Sequence, residues 1–435
     1  MSAWFRIDLW KRVMLGLALG LLVGLLVHFT GGEAGPAFVE TWIYPIGLAF
    51  ISLIRMLIVP LIFTTLTAGV IAMGDPKRLG SLGGRALGLY FGTTAVAVTI
   101  GLVVATLVQP GSQVTAETLG TASSDAVANV GGRVAEGAAA GGLAERLLNI
   151  IPDNPVEALA TADVLPIIFF SILFGVGILL AGEAGQPIAR GMESAAEAMM
   201  KLTELIMETA PFGVFALMSW VIATQGLGVL TALGLLAFAL YLSCVLQIAF
   251  TYGGIVKGVL RLPLVPFYRG IADAQAVAFS TASSSATLPV TITCANENLG
   301  VRPAIASSVL PLGATINMDG TAIYLGIVAI FGAQALGLEL SLASYVLVAL
   351  TATLSSIGAA GIPSAGLLLA AVVLEQVGIT EEQAVLIIAF IFPFDRLLDM
   401  MRTLTNVTGD AAVATAVAKW EGEFDEDTYR APDFY

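Results

Sequence analysis

Long apolar stretches alternate with short polar ones along most of the chain, and their lengths define the elements. Apolar runs lie at 12–30, 40–72, 85–108, 163–182, 189–222 and 227–258. Crossing the hydrocarbon layer of a bilayer takes about 20 residues of helix, so each run reads as a span. Four further blocks, at 262–296, 302–334, 340–377 and 381–418, carry a different pattern. The first and third are broken by small and hydroxyl residues, Phe279 to Leu288 before Pro289 and Ser355 to Ile362 before Pro363. Each of these holds two short helices but not two full spans with a loop between, so each reads as a re-entrant hairpin. The second and fourth read as long spans with polar groups at their middle. Hairpin–span, hairpin–span with corresponding breaks is the pattern of an inverted repeat with a site at the membrane midplane. The predicted fold class is an all-α polytopic membrane protein with eight transmembrane helices and two re-entrant helical hairpins.

Composition narrows the function classes. The chain is 57% hydrophobic and 12% charged, outside the range of soluble domains. A formal net charge of −13 argues against nucleic acid as a partner. Many of the acidic residues fall in loops and in the tail that begins at Glu421, where they read as solubilising. The two cysteines, Cys244 and Cys294, lie in or beside apolar runs and give neither a disulfide framework nor metal spacing. His28 stands alone, so an intramembrane hydrolase built on Ser284 or Asp319 has no base placed for it. Arg6, Lys11 and Arg12 precede the first span, Lys77, Arg78 and Arg85 mark one later loop, and Lys257, Arg261 and Arg269 another. Lys419 follows the last span, so the basic bias places both termini on the cytoplasmic side. The stretch 109–150, rich in Gly, Ala, Ser and Thr, reads as an extracellular loop.

The densest chemistry lies between Asp399 and Asp410, inside an apolar run. A charge at membrane depth costs roughly 2.5–3.5 kcal/mol on insertion scales, so such residues mark function. At about 100° per residue, Asp399, Arg402, Thr403, Asn406 and Asp410 share one helix face. Arg402 reads either as a structural ion-pair partner of Asp399 or Asp410, or as a fork that binds a carboxylate bidentately. In the second case Asp399 holds a positive group such as an α-amine, and the pair describes an acidic amino acid. Asn317-Met318-Asp319-Gly320-Thr321 interrupts another span. Its freed carbonyls with Asn317 and Asp319 form an oxygen-only cage suited to hard cations, or else a kink with Asp319 bonded to a neighbouring helix. Ser283-Ser284-Ser285 reads as a flexible tip or as amides that receive an anionic group at a half-helix end. Gly358, Gly361 and Gly366 suit either close helix packing or a moving gate. Tyr90, Thr93 and Thr94 share a face, and pattern alone reads them as packing or back-bonding.

At these residues the chain resembles the dicarboxylate/amino acid:cation symporter family, which includes the excitatory amino-acid transporters and archaeal sodium–aspartate symporters. The resemblance covers essentially the whole chain. It rests on the serine-rich first tip, Asn317 to Thr321, Gly361-Ile362-Pro363 and Asp399 to Asp410, in that order. It implies a homotrimer embedded in lipid in which a scaffold (1–75 and 151–222) carries a transport domain (85–108 and 227–420) that moves like an elevator. The acidic tail, 421–435, is cytoplasmic. Carried over residue by residue, Arg402 looks like the reader of the side-chain carboxylate and Asp399 of the amine. Thr321, Thr403 and Asn406 complete the substrate shell with the backbone of the Ser283–Ser285 tip and Gly361. Sodium ions are the implied co-substrate. One site would use Gly313, Asn317, Asn406 and Asp410, and a second Tyr90, Thr93, Thr94, Asn317 and Asp319. A third would use backbone near Thr315, Ser356, Ile357 and Ala359, with Met318 close by.

The departures shape the expected activity. Relatives carry an arginine beside this site, at places that here look like Ala282 and Met400; Arg396 is a candidate substitute. A glutamate tied to proton carriage in vertebrate members is here Leu325. Having both Asp399 and Asp410 favours an amino acid and sodium over a dicarboxylate. The expected function is secondary active symport of L-aspartate or L-glutamate with sodium into the cell across the plasma (inner) membrane, and no enzymatic activity. The alternative is proton-coupled acidic amino-acid or C4-dicarboxylate symport.

Overall fold

The computed structural model describes residues 7, 9–32, 34–72, 84–114, 148, 151–161, 164–357, 361 and 364–430. Most of the expected loop 109–150, the loop residues Lys77 and Arg78, and the tail beyond Arg430 lie outside them. The principal helices are α1 (Leu9–Thr30), α2 (Tyr44–Ala72), α3 (Gly84–Val108), α4 (Val164–Leu180), α5 (Gln186–Met207), α6 (Ala210–Gln225) and α7 (Gly228–Leu246). They continue as α8 (Ala272–Thr281), α9 (Ser284–Glu297), α10 (Pro303–Ile316), α11 (Asp319–Ala335), α12 (Leu342–Ile357), α13 (Ala365–Gln376), α14 (Glu381–Glu421) and α15 (Glu426–Arg430).

Among the described residues, five helical stretches are long and apolar enough to cross a membrane: Lys11–Thr30, Ala34–Ile71, Gly84–Gln113, Gly228–Val259 and Pro303–Ala335. α14 is longer than any of the other helices, at 41 residues, but its buried charges remove it from a plain hydropathy count. The run 189–222, expected as one span, is two helices bent by 49° between Met207 and Ala210. Pro211 explains the break. It has no N–H to donate, and its ring would collide with the carbonyl of Met207 in a continuous helix. Glu208, at the bend, is held by both terminal nitrogens of Arg12 at 2.5 and 3.0 Å.

The sequence pattern also sets how the helices pack. Gly16, Gly20 and Gly24 recur every four residues on α1, and a Cβ at any of them would collide with α6, at Pro211, Phe215 or Ile222. Small residues at this spacing let two helix backbones approach closely. α2 packs against α4, α5 and α6. A second group, α3, α7 and α12 to α14, surrounds α11. The apolar window of Pro303–Ala335 is wholly buried, against 22% of that in α1, so protein rather than lipid covers the centre.

Each segment predicted as a hairpin holds two short helices packed on each other, α8 with α9 and α12 with α13. α8 ends at Ala282, which takes a left-handed conformation (φ 52°), and α9 begins after the Ser283 N-cap. α12 and α13 flank the second tip, whose described residues are Gly361 and Ser364. α10 and α11 are separated by Asn317 and Met318, where the polar interruption was expected.

The tail does more than solvate. Phe424 forms an antiparallel bridge with Val301, the Asp425 amide donates to Gly300 O at 2.8 Å, and the Arg302 amide donates to Glu423 O at 3.1 Å. Tyr429 is buried and donates to Pro263 O at 2.7 Å. Hydrogen bonds from Thr428 to Asp425 hold that exposed carboxyl below its ordinary pKa.

Candidate functional site: a buried charge cluster beside a carboxylate pair

One face of α14 supplies the charge. Arg402 is fully buried, and its Nη2 donates to Asp395 Oδ1 at 2.9 Å and Asp399 Oδ1 at 2.8 Å. Its Nε and Nη1 have no hydrogen-bond partner among the described residues. The guanidinium carbon lies 4.0 Å from the centre of the Tyr324 ring, a cation–π contact that holds the group in place without using its N–H donors. Asp399 Oδ2 accepts from the Ser364 amide at 2.7 Å, which ties the second tip to α14. Thr403 Oγ1 donates to Asp399 O at 2.9 Å, a bond within the helix. Arg402 therefore pairs with Asp399, as one of the two sequence readings had it, but not with Asp410.

The two tips meet over this cluster. Gly361 O accepts from Ser283 Oγ at 2.7 Å and from the Ser285 amide at 3.1 Å. A Cβ on Gly361 would overlap Ser285 Oγ and press on Ala314 O, so the contact requires glycine. The Ala286 amide takes Ser283 Oγ as its cap at 3.2 Å. Part of the anion-receiving capacity expected at Ser283–Ser285 is thus already used within the protein. Ser284 is buried in the first turn of α9.

A second cluster lies where α10 breaks. Asp319 Oδ1 accepts from Thr94 Oγ1 at 2.6 Å; its Oδ2 accepts from Tyr252 at 2.7 Å and from Gln247 Nε2 at 3.0 Å. Asp410 Oδ1 accepts from Asn317 Nδ2 at 2.9 Å, and Asn317 Oδ1 from Thr93 Oγ1 at 3.3 Å. Tyr90 donates to Val309 O at 3.0 Å. Gly313 presents its α-carbon to both, since a Cβ there would lie 2.5 Å from Asp410 Oδ1 and 2.6 Å from the Tyr90 hydroxyl. Asn406 links the clusters: its Oδ1 accepts from the Gly320 amide at 2.7 Å, and its Nδ2 donates to Met318 sulfur at 3.1 Å. Thr321 is buried one residue further into α11.

The expected sites thus assemble unevenly. Asn317, Asp319 and Asp410 converge with Tyr90, Thr93, Thr94 and Gly313. Thr93 and Thr94 also back-bond to Tyr90 O at 3.1 and 2.8 Å, as the pattern of that face predicted, and Asp319 is bonded to neighbouring helices, as one of its two sequence readings had it. Thr315 and Ser356 instead spend their hydroxyls inside their own helices, on Leu312 O at 3.0 Å and Thr353 O at 2.9 Å. Ile357 is buried beside the second tip, and Ala359 lies outside the described residues.

Four groups at the site were not singled out from the sequence. Asp395 lies four residues before Asp399, and that spacing already placed it on the charged face. Tyr324 and Gln247 are polar groups in apolar spans, a signal present but weak. Tyr252 had none, because an α-helical repeat turns it away from Gln247. Arg396 does approach the first tip, donating to Thr281 O at 3.0 Å.

The arrangement is that of a membrane carrier, with a buried polar crossing of broken helices in place of a surface cleft. The family described as the sodium:dicarboxylate symporter family matches residues 9–420. The proton/sodium-glutamate symport protein of Geobacillus stearothermophilus is 35% identical over 422 residues, covering 97% of this chain and 96% of that protein. The C4-dicarboxylate transport protein of Azorhizobium caulinodans is 34% identical over 429 residues, covering 98% and 92%. The proton/glutamate-aspartate symporter of Escherichia coli (strain K12) is 34% identical over 415 residues, covering 95% and 93%. The chain belongs to the sodium:dicarboxylate symporter family, and it is a transporter rather than an enzyme.

Proposed function

We propose that this protein imports an acidic amino acid, L-aspartate or L-glutamate, together with sodium ions by alternating access in the plasma (inner) membrane. The observation that carries the reading is how buried charge is partitioned. Around Arg402 the charges balance, with Asp395, Arg396, Asp399 and Arg402 giving two of each sign. Around Asp319 and Asp410 they do not: every hydrogen bond described for these carboxylates comes from a neutral donor. Buried carboxylates require a positive partner or a proton. Oxygen ligands without His or Cys select a hard cation.

In this reading Arg402 receives the side-chain carboxylate through Nε and Nη1, and Asp399 receives the α-ammonium. Thr321, Thr403, Asn406 and the tips at Ser283–Ser285 and Gly361 close the shell. One sodium lies with Gly313, Asn317, Asn406 and Asp410, and a second with Tyr90, Thr93, Thr94, Asn317 and Asp319. A third, with Thr315, Met318, Ser356, Ile357 and Ala359, has the least support, since no described hydrogen bond draws its hydroxyls together. The scaffold and the moving domain correspond to the α1–α2–α4–α5–α6 group and the group around α11. Elevator motion and a homotrimer in lipid belong to the same reading. Cytoplasmic termini agree with Arg85, at the start of α3, pairing with Glu421 at the end of α14 at 2.9 Å.

The second reading is proton-coupled acidic amino-acid or C4-dicarboxylate symport. A proton on Asp319 or Asp410 removes the buried charge as a sodium ion would, and the named relatives support this reading equally. Uptake of radiolabelled L-aspartate into liposomes separates the two. A sodium gradient should drive it, with competition by L-glutamate and not by succinate, and each inward charge should add about 2.3 kcal/mol per 100 mV. Uptake driven by a proton gradient alone, or competed by succinate, would move the assignment to the second reading.

A further inference from the structure

Where α7 runs on past Leu246 its winding loosens into a π-turn, Gln247–Tyr252. Such a turn closes residue i onto i+5, and Gln247 and Tyr252 stand at that spacing. Both are fully buried and both donate to the same atom, Asp319 Oδ2, at 3.0 and 2.7 Å. Gln247 Nε2 also donates to Thr93 O at 3.1 Å. Its amide oxygen is held by Thr251 Oγ1 at 2.8 Å. A backbone carbonyl and a carboxylate only accept, so the amide nitrogen must be the end that faces them.

We propose that Gln247 is a tethered stand-in for the coupling cation. Its amide nitrogen bridges Thr93 O and Asp319 Oδ2, two oxygens on the face where a cation would bind. It keeps the buried carboxylate satisfied while no ion is bound and swings aside when one arrives. The hydroxyls of Thr94 and Tyr252 behave differently. Rotation about the C–O bond turns each from a donor into a lone-pair ligand, so they serve both states. The amide nitrogen has no lone pair to offer and competes with the ion. The competition keeps cation affinity low enough for release. This inference rests on the reading of Asp319 as a cation ligand.

The test is sodium binding, without amino acid, to the full-length protein in detergent, measured by calorimetry and by the sodium-dependent shift of the thermal midpoint. Gln247→Met keeps the length of the side chain and removes the donor. A hydrogen bond to a charged group, once lost from the ion-free state alone, should tighten sodium binding by about tenfold or more. Thr251→Val, which frees the amide oxygen, should tighten it by a few-fold and serves if the first variant does not fold. Tyr252→Phe should change it by less than about threefold. Unchanged or weaker sodium binding in Gln247→Met, or in Thr251→Val where the first does not fold, overturns the stand-in role while leaving the cation site intact. If the wild-type protein binds no sodium, the cation reading of Asp319 falls and this proposal with it.

Discussion

Arg402 and its two aspartates show how a buried charge is offset through one end of the guanidinium. Nη2 alone meets Asp395 and Asp399, and Nε and Nη1 have no hydrogen-bond partner among the described residues. Asp399→Asn tests the division of labour directly. Arg402 keeps Asp395 and Arg396 keeps its bond to Thr281 O, so the protein should fold. The substitution removes the charge that would meet an α-ammonium. L-aspartate uptake in liposomes should fall by at least about a hundredfold, as for losing a charge-assisted bond of about 3 kcal/mol. Retained uptake of succinate in the same vesicles would mark a dicarboxylate carrier. Spacing along α14 made most of this cluster legible in the sequence. That Arg402 partners Asp395 rather than Asp410 was not, because a helical face extends over several turns and only packing selects which turn faces the site.

At the scale of elements, the first tip is bonded to the second at Gly361 O. Gly361 sits where any side chain would strike Ser285 Oγ and Ala314 O. Gly361→Ala therefore should part the tips at a cost of about 1–3 kcal/mol. Amino-acid affinity, read by competition for radiolabelled L-aspartate, should weaken about tenfold or more. Gly88→Ala is the control, since nothing lies within 4 Å of a Cβ there. The hairpins themselves could be read from small-residue breaks and the prolines that follow. The bend at 207–210 could not, since hydropathy passes smoothly through Pro211. Its signal was the proline, outweighed by the apolar run around it.

At the scale of the whole molecule, the tail joins the end of α14 to the loop between α9 and α10 and to Pro263. Tyr429→Ala empties a buried aromatic position and removes the bond to Pro263 O. It should lower stability by about 3–5 kcal/mol in the detergent-solubilised protein, seen as a lower thermal midpoint, with amino-acid affinity little changed. Asp425 adds a pH dependence. Its folded-state pKa is depressed, so its contribution is complete above the ordinary aspartate range and fades as pH falls through and below it. The acidic composition of the tail suggested only solvation, because a sequence lists charges but not the backbone groups they sit beside.

The sequence by itself determined the membrane class, the places where small residues break the helices and the residue types of the buried polar clusters. These follow from local rules: helix length against bilayer thickness, small-residue breaks, and the cost of charge at depth. Only the tertiary structure decided which groups share an atom. Asp319 with Gln247, Tyr252 and Thr94, Gly361 with Ser283, and Arg402 with Asp395 and Tyr324 depend on helix separations of a few ångströms and on a π-turn that shifts the register of one face. Hydropathy and helical periodicity carry no information about either.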